Sequence, residues 1–214
     1  MTLGSRRGWL ALGIMVGCCG SVPRAADKPA AEPPTVLNVR LTTSSELSPV
    51  SQRALINETE SIWREARVEL RWIADTGSTE KRAVEEGRPL RIVVTRRAVN
   101  AADHQRWPVG ELLRFGDRSA IAMASITAAL RIVDESPQSL LLDLPASRQY
   151  TLGVVLGRAI AHEIGHYLLD SNSHAPHGLM RASIDAREFA DLRTGAFRLD
   201  RQSQAFLATR TRTN

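Results

Sequence analysis

Apolar and polar residues alternate with a period of two over residues 36–42 (Val-Leu-Asn-Val-Arg-Leu-Thr), which predicts a strand. From Pro49 to Ala66 the period changes. Leu55, Ile62 and Ala66 recur at helical spacing, with Glu58, Glu60 and Arg64 on the other side. Residues 68–73 alternate again, and 90–95 (Leu-Arg-Ile-Val-Val-Thr) form a β-branched run suited to a buried strand. Between them, residues 75–89 carry Gly77 and Gly87 and read as a charged connection. Residues 107–110 (Trp-Pro-Val-Gly) mark a loop, and 119–127 predict a further strand. Residues 130–133 are a short apolar piece that fits another strand, and 140–144 a second piece of open type.

A long helix is predicted from Ser147 to about Leu169, with Pro145 before it and Ser147 as its cap. Leu152, Leu156, Ala159, Ile160 and Ile164 form its apolar stripe. After an irregular stretch, residues 201–209 predict a last helix. No repeat and no shift of composition divides the chain. The pattern is that of one α/β (α+β) domain, residues 36–214.

The first 26 residues differ from the rest. Arg6 and Arg7 precede an apolar stretch and then small residues, the three-part plan of an export signal. Residues 5–10 (Ser-Arg-Arg-Gly-Trp-Leu) also resemble a twin-arginine signal, so either export route fits. Met15-Val16-Gly17-Cys18 resembles a lipoprotein box, which makes Cys18 a candidate lipid anchor; cleavage near Ala25 or Ala26 is the alternative. The expected location is extracytoplasmic: secreted, periplasmic or cell-surface. Residues 27–35, rich in Pro, read as a linker.

Charge narrows the function classes. The chain has 28 basic and 23 acidic residues, a net charge of +5. Without Arg6, Arg7 and Arg24 the balance is 25 against 23. The Arg residues are scattered and no basic stripe alternates with aromatics, so nucleic acid is not an expected partner. Cys18 and Cys19 are the only cysteines, so the folded part contains no disulfide.

Candidate chemistry is concentrated near the end of the long helix. Four of five histidines fall within residues 162–177, and His162-Glu163-Ile164-Gly165-His166 is the His-Glu-x-x-His zinc signature. Residues four apart share a helix face, so two imidazoles project together toward one Zn²⁺. Glu163, rotated by about 100°, reaches the water side of such an ion as general base. Gly165 costs helix propensity and offers close backbone packing beneath the site. A catalytic zinc takes a third protein ligand. Residues 170–173 (Asp-Ser-Asn-Ser) can reverse the chain, which makes His174 the first choice; Glu188, His177 and Asp170 are the alternatives. His104 reads as a solvated loop residue, and Trp63, Trp72 and Trp107 as core or rim aromatics.

These residues, followed by Gly178-Leu179-Met180, resemble the metzincin-type zinc metallopeptidases. The resemblance implies a zincin-like fold: a mixed twisted sheet, one backing helix, an active-site helix and a small C-terminal subdomain ending in a helix. It also implies a Met-containing turn under the metal, with Gly178 and Met180 as supporting residues, although Met180 alone also reads as core filler. Residues 119–127 would offer a sheet edge to which a peptide substrate adds as a strand. The family pattern has Gly three residues and His six residues after the second His. Here Leu169 and Asn172 stand there, so His174 needs a loop longer by two residues. Arg181-Ala182 replace the Tyr that follows the turn in some members, so no transition-state donor carries over.

The function expected from sequence is that of an exported zinc endopeptidase acting on a peptide or protein substrate. One Zn²⁺ would be held by His162, His166 and His174, and Glu163 would be the base. The alternative is an inactive zinc-binding or structural module, its metal closed off by a fourth ligand such as His177.

Overall fold

The computed structural model describes residues 34–73, 89–96, 109–116, 119–136, 144–193 and 195–210. The leader, most of the linker, residues 75–88 of the charged connection, His104, Trp107 and residues 140–143 of the second apolar piece lie outside these residues. Among the described residues no helix is long and apolar enough to cross a membrane.

Five strands form one sheet: β1 (Thr35–Thr43), β2 (Val68–Trp72), β3 (Leu90–Thr95), β4 (Gly110–Phe115) and β5 (Ser119–Ser125), in the order β2-β1-β3-β5-β4. All neighbours are parallel except β4, which runs antiparallel to β5. Alternation supplies the buried face. Leu37 and Val39 in β1, Leu90, Ile92 and Val94 in β3, and Ala122 and Ala124 in β5 are buried. Register aligns Ile92 with Ala122 and Val94 with Ala124.

Helix α1 (Pro49–Glu65) starts with Pro49 at its first turn and Ser48 as cap, whose side chain accepts from the Ser51 N–H. It packs against α3 (Pro145–Leu169), the helix that carries the histidine motif. Glycines permit the close crossing: a Cβ on Gly157 would lie 2.8 Å from the Leu55 carbonyl oxygen, and one on Gly153 would overlap the Ser51 carbonyl. Thr59 Oγ1 donates to the Gly157 carbonyl across this contact at 3.1 Å.

Three local expectations are corrected. Residues 130–133 are not a strand but belong to helix α2 (Ile126–Glu135), capped by Ser125, whose side chain accepts from the Ala128 N–H. Ser147 does not cap α3. That helix begins at Pro145 after Leu144, which makes no side-chain cap bond. Residues 119–125 are not a sheet edge, because β4, unforeseen in the sequence, pairs outside β5.

Beyond α3 the chain forms a short helix α4 (Ala186–Ala190), capped by Asp185, and a final helix α5 (Arg201–Arg210). Arg158 of α3, 2% exposed, holds this part in place. Its guanidinium donates to Glu58 of α1 at 2.7 Å and to the carbonyls of Phe189 and Asp191 at 2.8 and 3.0 Å. It also lies 4.3 Å from the Phe197 ring centre. At the start of α5, Asp200 accepts from the backbone N–H and hydroxyl of Ser203 at 2.9 and 2.6 Å.

Candidate metal centre

Helix α3 is apolar over most of its length, so it is buried nearly all round. Its last turns bring His162 and His166 onto one face. The helix ends at Asp170, which adopts a left-handed conformation (φ 50°, ψ 41°) and reverses the chain. This end falls one residue beyond the position where the metzincin pattern has Gly. The reversal returns His174 to the helix, 5.4 Å from His162 and 4.9 Å from His166 between ring centres.

Ligand atoms of His162, His166 and His174 all lie within 4.8 Å of one another, close enough to hold one metal ion. Backbone carbonyls set the tautomers of two rings. His162 Nδ1–H donates to the Leu179 carbonyl at 2.8 Å, and His166 Nδ1–H donates to the Ser171 carbonyl at 2.7 Å. Each neutral ring then presents a bare Nε2 lone pair, and these two Nε2 atoms are only 3.0 Å apart. Lone pairs so close repel unless an electrophile lies between them. A tetrahedral ion with bonds near 2.1 Å separates two ligand nitrogens by roughly 3.4 Å. Burial lowers the pKa of His162 to about 4, with the charges of His166 and His174 adding and the Leu179 bond opposing. Burial also lowers the pKa of His166, opposed by the Ser171 bond and helped by the charges of His174 and Arg114. Both rings are therefore held neutral, the form that binds metal.

Glu163 is buried, and its carboxyl lies against the start of β4: a Cβ on Gly110 would sit 2.7 Å from Glu163 Oε1. Glycine at a strand position marks this close approach. Burial, helped by the charge of Glu111, raises the Glu163 pKa to about 8. Strand β4, of which only Gly110 fell within the predicted 107–110 loop, thus forms one wall of the site.

The segment after His174 supports the site from below. Gly178 has φ 78°, and a Cβ there would overlap the Arg198 carbonyl. Leu179 N–H donates to that carbonyl at 2.8 Å. The Met180 carbonyl accepts from Ala175 N–H at 2.8 Å, which ties the residue following His174 to the turn. Met180 is buried, and its thioether fills the space left by the missing side chain of Gly165.

The other ligand candidates do not join the three rings. Glu188 pairs with Arg181 at 2.6 Å, Asp170 pairs with Arg114 at 2.8 Å, and His177 is exposed outside the group. Trp63 is a fully buried core aromatic, and Trp72 donates to Glu60 at 2.8 Å. The carbonyls of Leu179 and Ser171 are not legible in the sequence, since main-chain acceptors leave no compositional trace.

No family model matches the sequence, and no curated protein matches it either. Among solved structures, the chain is similar to archaemetzincin from Methanopyrus kandleri, determined at 1.5 Å. The TM-score is 0.50 at 15% identity, over 82% of this chain and 96% of that chain. The likeness is one of fold alone, a mixed α/β fold of zincin-like type.

Proposed function

We propose that the chain is an exported zinc-dependent endopeptidase of metzincin-like type. One observation carries this reading: two tautomer-fixed imidazoles hold their bare Nε2 atoms 3.0 Å apart beside a third ring, and a buried carboxyl follows the first of them on the same helix. Three imidazoles, with no fourth protein ligand among the described residues, make the donor set of a catalytic rather than a structural zinc. Zinc held by His162, His166 and His174 would supply Lewis acidity and a positive charge, which favours the ionised form of the Glu163 carboxyl that burial otherwise holds protonated near neutral pH. Glu163 takes a proton from the attacking water and delivers it to the amine that leaves as the C–N bond breaks. The backbone of Gly110 confines that carboxyl to one side, and burial excludes competing solvent from it.

Strand β4, the sheet edge next to Glu163, takes over the role expected of residues 119–127: an extended peptide adds to it as a further strand. Residues 1–26 act as the export signal, and Cys18 is the anchoring residue if lipid is attached. Glu163→Gln and His166→Ala test the chemistry together. The first keeps bound zinc and loses peptide hydrolysis; the second loses zinc. Full hydrolysis by both variants would overturn the mechanism.

A further inference from the structure

The antiparallel edge strand grips the end of the helix that carries the histidines. Arg114 of β4 donates from Nη2 to the His166 carbonyl at 2.7 Å and from Nη1 to Asp170 Oδ1 at 2.8 Å. Both partners belong to the chain reversal. Asp170 holds the left-handed conformation, which a residue with a Cβ adopts only at an energetic cost. Ser171 N–H donates to the same His166 carbonyl at 3.3 Å, and the Ser171 carbonyl accepts from His166 Nδ1 at 2.7 Å. His174 follows three residues later.

We infer that Arg114 is a positioning residue for the metal centre, acting through the Asp170–Ser171 turn on the orientation of His166 and the placement of His174. Its planar fork satisfies a carboxylate and a carbonyl at once, so it fixes the angle between them as well as their separation. The ion pair is partly exposed (35% for Arg114 and 61% for Asp170), so its attraction alone does little for stability. What it contributes is geometry: it locks a turn whose next carbonyl sets a ligand's tautomer. Arg114 touches neither the metal nor the substrate in this role.

The inference rests on the zinc reading, and its test separates the two. Zinc affinity is measured by chelator competition for the wild type, Arg114→Met, Arg114→Lys and Asp170→Gly, together with the visible spectrum of each Co²⁺-loaded protein. Arg114→Met keeps most of the side-chain stem and is chosen over Ala so that packing is retained; melting of the metal-free protein confirms folding. The expected loss of zinc affinity in Arg114→Met is about 10–100-fold, with an altered Co²⁺ spectrum, because outer-shell partners carry that much. Arg114→Lys recovers part of the loss. Asp170→Gly, which adopts the left-handed turn freely, binds zinc better than Arg114→Met does, and in its background the effect of Arg114→Met shrinks. Arg114→Met with unchanged affinity and an unchanged Co²⁺ spectrum would overturn the positioning role and leave the zinc reading intact. A wild type that takes up no zinc would overturn both.

Discussion

Met180 lies where the side chain of residue 165 would begin. A methyl group on Gly165 would overlap Met180 Sδ and stand 2.9 Å from its terminal carbon. A glycine one residue before a proposed ligand and a methionine on the turn below it are therefore two halves of one packing contact. In an exposed helix, Gly→Ala gains ~1 kcal/mol.

Here the sign reverses. Gly165→Ala is expected to destabilise the protein by about 1–3 kcal/mol through overpacking, and to weaken zinc binding by tilting the turn that carries Leu179. In a Met180→Ala background the same change becomes neutral or stabilising. Urea titration of the four proteins of this cycle measures the coupling. Additive effects would show that the two residues do not share the space.

Gly157 faces the Leu55 carbonyl across the α1–α3 contact. Gly157→Ala forces a methyl group against the Leu55 backbone carbonyl, which no rotamer change relieves. The expected cost is a few kcal/mol, in the range of overpacked cores, read as a lower urea midpoint. A stability gain would mean that the helices lie further apart than described.

Arg158 combines a charge with nearly complete burial, and its partners come from α1 and from the segment around α4. Removing Glu58 leaves that charge uncompensated. Glu58→Ala is expected to cost roughly 3 kcal/mol, the lower end for broken buried pairs because Glu58 is itself partly exposed. Replacing both residues, with Arg158→Met, recovers stability relative to Glu58→Ala. A double variant worse than the single would refute this account.

Asp200 caps α5. Burial pushes its carboxyl pKa up, but the hydrogen bonds from Ser203 and neighbouring backbone outweigh this, and the net shift is downward. A pKa lowered by folding stabilises above the unfolded value of ~3.9 and is lost as pH falls through the folded value. Asp200→Ala should cost about 1 kcal/mol at neutral pH. Its gap from the wild type should narrow as the pH drops below about 4. A gap constant from pH 7 to pH 2 would exclude the carboxylate as the source.

Much of the framework was legible in the chain because period and composition agreed there. Strands β1, β2 and β3, helix α1 and the histidine helix each had a clean pattern. Strand β4 did not: Leu112 and Leu113 are adjacent, their flanks carry Pro and Gly, and no alternation survives. Residues 130–133 are too short an apolar run to separate strand from helix, and the deciding signal was the Ser125 cap upstream. The histidine triad was readable because a helix fixes residues four apart, and because turn residues stood between His166 and His174. The wall of the site was not. It depends on β4 closing over Glu163 through a glycine, a tertiary contact between residues more than fifty positions apart.

The hydrogen bond from His162 to the Leu179 carbonyl makes the site depend on chain that lies well beyond the ring-bearing helix. Whatever grips the rings also grips the tail, so ion loading and docking of the C-terminal segment are reciprocally linked. Stripping the ion with a chelator should loosen that segment first, and a nicking protease would register it as faster cleavage past residue 171 while the sheet stays protected.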